Sequence, residues 1–324
     1  MTNEHPHVSV IVPTRDRGTS LALTLDALSA QTYDDFEVVV IDDGSSDDTP
    51  AVIAAAGPRV RGVRTEGIGA VMARCAGIKQ SRGDVLAFTD SDCVPQPDWL
   101  AHGVVAIDAG ADIAQGRTIP ERTVGPLERS ISHSVDDGLF ATCNMFYRRD
   151  AYERAGGFDR VAFSRLGFRP DEQAKGLGFG EDTLLGWAVA RRGVLSSVPE
   201  AVVRHEVVQP PLREMFSRAW MAGAFPALVR EVPELKGRLI RHRVVLGRTD
   251  PRLGAYGLFL SYGPLAPIGL LAIGWWIGAR AKRAVRRPGR VGRRAYEVAI
   301  ELALDLTTAV ALLVGSVRAR TPVI

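Results

Sequence analysis

Three short apolar runs near the start of the chain each stop abruptly at a cluster of polar side chains, and this repetition constrains the fold more than any other feature. They are His7-Val-Ser-Val-Ile-Val-Pro-Thr-Arg-Asp-Arg17, Phe36-Glu-Val-Val-Val-Ile-Asp-Asp-Gly-Ser-Ser-Asp48 and Val85-Leu-Ala-Phe-Thr-Asp-Ser-Asp92. Runs this short and this rich in Val and Ile read as strands buried on both faces, with Pro13 breaking the first. A helical segment follows that strand from about Ser20 to Gln31. The pattern predicts an α/β fold of parallel strands feeding helices. In open sheets of this kind ligands bind beyond the carboxyl ends of the strands, which gathers Thr14, Asp42, Asp43, Asp90 and Asp92 at one crevice. Polar groups at three strand ends are hard to explain as packing.

Asp90 and Asp92 are two residues apart, so strand alternation sends both carboxylates to the same side. Together they suit one hard divalent cation, and such a cation can bridge a diphosphate. An Asp-x-Asp pair also serves as a plain cap or turn, so its surroundings decide the reading.

Those surroundings include Met72-Ala-Arg-Cys-Ala-Gly-Ile-Lys-Gln-Ser-Arg-Gly-Asp84, Asn144-Met-Phe-Tyr-Arg-Arg149, Gly156-Gly-Phe-Asp159 and Gly180-Glu-Asp182. With the three strand ends they make seven motifs in one order, and the chain from 7 to 206 resembles the inverting glycosyltransferases of family 2. The resemblance implies the GT-A fold, a Rossmann-like, mostly parallel sheet flanked by helices, and a nucleotide-sugar donor. It places Pro13 and Thr14 along the nucleotide, Asp42 or Asp43 on the base, usually uracil, and Arg74 against the nucleotide and diphosphate. Asp90 meets the ribose and the metal, Asp92 coordinates Mg2+ or Mn2+, and Asn144 and Arg148 shape the donor-sugar and acceptor pocket. Chemistry agrees, because a departing nucleoside diphosphate gathers charge that a metal and an arginine neutralise. Cys75 stands where the family usually has Asn, which touches one local hydrogen bond.

An acceptor hydroxyl needs a base as it attacks, and a carboxylate beside the sugar carbon can take its proton. The resemblance makes Asp182 that base, with Glu181 positioning the acceptor; Asp182 also suits the cap of a helix starting there, and the two roles are compatible. His205 follows a strand expected after Gly193, and relatives use such a histidine as a further metal ligand, which favours Mn2+. Residues 161–179, with Gly167, Gly176 and Gly178, read as a polar loop suited to cover a bound acceptor.

The 324 residues, 46% of them hydrophobic, allow one large α/β domain and a tail, and a net charge of +3 gives no support for nucleic acid binding. Cys75, Cys93 and Cys143 lack a Cys-x-x-Cys spacing and are odd in number, so a reduced cytoplasmic chain is expected. No signal peptide is read at the N-terminus. Residues 1–210 form the expected catalytic domain, 211–252 a basic amphipathic extension, and 253–324 a membrane-associated hydrophobic helical tail.

Leu253 to Ala279 carries no charge, which is long enough to cross a bilayer. A single crossing would put the basic cluster from Lys282 to Arg294 outside, against the positive-inside tendency. Pro264 and Pro267 offer a re-entrant hairpin instead. Tyr296 to Val317 reads as an interfacial helix with Glu297, Glu301 and Asp305 on one face, a second crossing being the alternative. A soluble protein that buries the uncharged run is a further alternative.

The expected protein is thus a glycosyltransferase at the cytoplasmic face of the cell membrane, acting on a lipid-linked or glycan acceptor in envelope polysaccharide synthesis. Its partners are the nucleotide sugar, the acceptor and an anionic membrane surface, with a homo-oligomer left open. Two other classes stand beside it: a sugar-phosphate nucleotidylyltransferase, which lacks its Gly-rich Arg loop here, and a non-catalytic scaffold, which would not need Asp90, Asp92 and Asp182. The missing Gly-x-Gly-x-x-Gly after the first strand disfavours a dinucleotide dehydrogenase.

Overall fold

The computed structural model describes residues 5–135, 137–158, 164–167, 180–237, 252–287 and 290–321. The chain divides into two units, one of 1–123 with 130–207 and one of 124–129 with 208–324.

The first unit is built on a sheet of Val8–Thr14 (β1), Phe36–Asp42 (β2), Val60–Arg64 (β3), Val85–Phe88 (β4), Cys93–Pro95 (β5), Ile113–Pro120 (β6), Met145–Arg148 (β7) and Leu195–His205 (β8). Their order is β3-β2-β1-β4-β7-β6-β8-β5. The first four strands are mutually parallel. β7 runs against both β4 and β6, and β5 against β8, so the other half of the sheet is mixed. Helices Gly18–Ser29 (α1), Thr49–Ala55 (α2), Ala70–Gln80 (α3), Trp99–Asp108 (α4), Arg149–Arg154 (α5) and Glu181–Ala190 (α6) complete the unit.

Every residue of β1 and β2 is buried, as continuous apolar runs in a helix-covered parallel sheet require. β1 continues through Pro13 to Thr14 rather than breaking there. Ile11 and Pro13 face β4, but β4 pairs with β1 only up to Ile11↔Phe88, so the missing N–H of Pro13 falls beyond that ladder. The pairing of Thr14 with Asp42 brings the polar ends of β1 and β2 side by side. The core beneath joins Val10, Val38, Leu21, Trp99, Phe146 and Val203 from strands and helices alike. All three cysteines are free.

The second unit is helical: Leu212–Met221 (α7), Phe225–Glu231 (α8), Arg252–Leu260 (α9), Ala266–Val285 (α10) and Val291–Ala319 (α11). Pro267 sits in the first turn of α10, where its missing N–H is no loss. The uncharged run is therefore two packed helices, with Gly257 and Gly269 in backbone contact where any Cβ would clash. α11 packs on α10 through charge: Asp305 accepts from Trp276 Nε1 at 3.0 Å and from Arg280 Nε at 2.9 Å, while Arg287 Nη2 donates to Glu301 at 2.7 Å. Glu297, Glu301 and Asp305 are buried, so the acidic face expected at an interface is an internal ion-pair seam. Among the described residues α11 is the one helix long and apolar enough to cross a membrane, by length and composition.

Candidate active site

The carboxyl ends of β1 and β2 present Thr14, Asp42 and Asp43, all buried. Asp42 accepts from Ser45 N–H at 2.8 Å and forms a close ion pair with Arg64. Asp43 accepts from Thr65 Oγ1 at 2.6 Å and from Ile68 and Gly69 N–H, both at 2.8 Å, which fastens the loop that enters α3. Both carboxylates are thus held rigidly by the protein. Thr14 Oγ1 is buried without a partner among the described residues, a polar atom that a bound ligand would satisfy.

β4 ends at Phe88, so Asp90 and Asp92 stand in the turn toward β5 and strand alternation does not govern them. They diverge. Asp90 accepts from Arg74 Nη2 at 2.6 Å, with the arginine side chain 7% exposed. Burial opposes the charge on Arg74, yet Asp90, Glu181 and Asp182 outweigh it and raise its pKa. Its Nε has no partner among the described residues. A buried, permanently charged guanidinium with a donor to spare is suited to a phosphate group.

Asp92 Oδ2 lies 3.0 Å from Arg17 Nη1, and Asp92 Oδ1 lies 3.6 Å from His205 Nε2. His205, the last residue of β8, pairs with Cys93 of β5, and this register brings the histidine to Asp92. Its Nδ1 lies 2.8 Å from the Glu206 carbonyl and donates there, which leaves the Nε2 lone pair toward Asp92. Ligand atoms of Asp92, Cys93 and His205 lie within 4.8 Å of one another. The Cys143 contact and burial push the Cys93 thiol well up, and a soft sulfur suits an oxygen-seeking cation less than the donors of Asp92 and His205 do. The oxygen and imidazole pair that remains fits a divalent ion such as Mn2+, with water and phosphate completing the shell. Asp90, committed to Arg74, stands outside this group.

Gly180, left-handed at φ 96°, turns the chain into α6 and places Glu181 and Asp182 in its first turn. Both residues are half-buried, but Glu181 Oε2 is withdrawn from solvent and unpartnered among the described residues. Burial and the neighbouring Asp182 charge push Glu181 up to about 8, which protonates it at neutral pH. Burial also raises Asp182, opposed by the Thr183 N–H at 2.7 Å and by the charges of His133 and Arg74. Burial thus pushes both carboxyls toward the neutral form, and the donor and charges around Asp182 offset part of that push there.

Asn144 does not join them. Its Oδ1 accepts from Trp99 Nε1 at 2.8 Å and its Nδ2 donates to the carbonyls of Arg117 and Ala201 at 3.1 and 2.9 Å, so its amide is fully used by the scaffold. Arg148 donates to the carbonyls of Ile107 and Ala111 at the end of α4, and Arg149 to Gly83 O and Ser81 Oγ. Neither is placed in the pocket expected for Arg148. The expected acceptor loop lies outside the described residues apart from 164–167. Sequence reasoning gave no role to Arg17, Glu206, His133 or Asp137. Arg17 stood inside a quoted motif, whereas the other three carry no local signal.

The sheet has GT-A architecture, and its carboxyl edge carries a buried arginine, an Asp and His pair and two neighbouring carboxyls. The sequence model described as glycosyl transferase family 2 matches residues 9–170, half of the chain, and the chain belongs to that family. It is 33% identical over 175 residues to glycosyltransferase AglE of Haloferax volcanii, covering 49% of this chain and 58% of the relative. It is 40% identical over 214 residues to the succinoglycan biosynthesis protein ExoO of Rhizobium meliloti, covering 60% and 59%. The chain thus spans less than two thirds of the length of these relatives. Among solved structures, the mannosyltransferase PcManGT of Pyrobaculum calidifontis, in complex with GDP-Man and Mn2+, shares the fold with a TM-score of 0.55 at 20% identity over 98% of this chain and 88% of that one. S. aureus TarS with UDP-GlcNAc does so at 0.54 and 17% over 97% and 92%.

Proposed function

We propose that the protein transfers a sugar, with inversion at the anomeric carbon, from a UDP-linked donor to a lipid-linked or polysaccharide acceptor. The observation that carries this is the meeting of Arg74, fixed by Asp90, with Glu181 and Asp182: a cation for a departing diphosphate faces carboxyls for an incoming hydroxyl. The acceptor oxygen bonds to the anomeric carbon as the bond from that carbon to the diphosphate oxygen breaks, and the hydroxyl proton passes to Asp182. Arg74 meets the charge that grows on the leaving diphosphate. Glu181, neutral at pH 7, donates a hydrogen bond that orients the acceptor. Thr14, Asp42 and Asp43 line the nucleoside end. Asp92 and His205 would hold Mn2+ or Mg2+, which when bound supplies further neutralisation of the diphosphate.

The curated relative named for succinoglycan biosynthesis supports a polysaccharide acceptor. Membrane association at the cytoplasmic face is supported by α11 and by the exposed apolar side chains of the α9 to α10 hairpin, including Tyr262, Leu270, Leu271 and Trp275. The basic residues from Lys282 to Arg294 supply the attraction to anionic lipid.

For Asp182→Asn, donor binding is expected to survive while transfer falls by roughly 10²- to 10⁴-fold, the range for losing a general base. Nucleotide release from a panel of nucleotide sugars, with binding measured in parallel, checks both halves. Transfer at the parental rate would remove Asp182 from that role.

A further inference from the structure

A second titratable pair, outside the residues assigned so far, is tied to Asp182 by the hydrogen-bonded frame. His133 Nδ1 lies 2.7 Å from Asp137 Oδ2, each side chain 18% exposed. The backbone of His133 is fixed to Thr118 of β6 by hydrogen bonds in both directions, at 3.0 and 3.1 Å. Asp137 Oδ1 accepts from Leu139 N–H at 2.8 Å, and the Leu139 carbonyl accepts from Thr183 Oγ1 at 2.6 Å. Thr183 N–H in turn donates to Asp182 Oδ1 at 2.7 Å. The segment from His133 to Leu139 is thus anchored to β6 at one end and to the first turn of α6 at the other.

This frame addresses a difficulty in the charge balance. Arg74 is bound to Asp90 and is the cation available to a departing diphosphate, so it is shared just when Asp182 must be an anion. A second cation near the base would remove that conflict. The titratable groups that face His133 are Asp137, the Cys143 thiol and Asp182; burial disfavours its charge, but these groups outweigh burial.

We propose that His133, held as an imidazolium by Asp137, is a positioning residue that keeps Asp182 anionic and oriented while Arg74 serves the diphosphate. With Asp182 as the base of the proposed reaction, on which this role rests, the charges divide: Arg74 toward the leaving group and His133 toward the base. His133 exchanges no proton with substrate.

Histidine Cε1–H resonances of the full chain in detergent micelles test this. The six histidines give few signals, and His133→Gln assigns the one of interest. Asp137→Asn and Asp182→Asn are each expected to lower the pH at which His133 titrates, leaving the other signals in place as a control on folding. Proton linkage is reciprocal, so a shift that Asp182 exerts on His133 equals the shift His133 exerts on Asp182. A His133 midpoint unmoved by Asp182→Asn in a folded variant overturns the proposal. Parental transfer by Asp182→Asn would instead reject the base on which it rests, and the two failures are read on different instruments.

Discussion

Asn144 is as polar as the residues of the site, yet its hydrogen bonds commit it to the scaffold. Removing the Asn144 amide takes the acceptor from buried Trp99 Nε1 and a donor from two backbone carbonyls, and a buried group left unsatisfied costs about 1–3 kcal/mol. Gly116 is in contact with the same amide, where a Cβ would lie 2.3 Å from Asn144 Oδ1. Asn144→Ala is therefore expected to lower the unfolding free energy by about 3 kcal/mol, read from urea denaturation. A stability change below about 0.5 kcal/mol with a lost donor affinity would return Asn144 to the sugar pocket. The sequence showed which residue types belong to the site but not this division of labour. Asp92 meets Arg17 and His205, and Asp182 is linked through Thr183 and Leu139 to Asp137, only across distant parts of the chain that no local motif encodes.

Among the elements, apolar runs and their polar ends made β1, β2 and β4 legible, because strands buried on both faces leave a continuous apolar signature. β5 was not, being three residues long and fixed only by its partner β8. The tail shows the same limit. α9 has nine residues, about 14 Å of helix, too short for a hydrocarbon core of about 30 Å, whereas α11 has 29 residues, about 44 Å. The carboxylates of α11 made it look interfacial because their partners Arg280, on α10, and Arg287, just beyond its end, lie outside that helix. With those charges paired inside the unit, the exposed apolar side chains of α10 are left to meet lipid, and the full-length chain is expected to float with liposomes containing anionic lipid. A chain that stays wholly soluble without detergent would contradict the membrane reading.

In the molecule as a whole, the parallel half of the sheet presents Thr14, Asp42 and Asp43 side by side and the mixed half brings His205 to Asp92. The first half follows from local pattern. The second depends on β7 and β8 returning from distant parts of the chain, which explains why the metal pair emerged from resemblance and not from spacing. The central claim is that Asp92 anchors a metal-dependent nucleotide site. Calorimetric titration of the full chain with UDP, with and without Mn2+, tests it most directly when set beside Asp92→Ala. Binding is predicted to require Mn2+ in the parent and to be lost in the variant, since the cation loses its carboxylate anchor. Equal affinity in both proteins, or binding in the parent that is indifferent to Mn2+, would contradict the account.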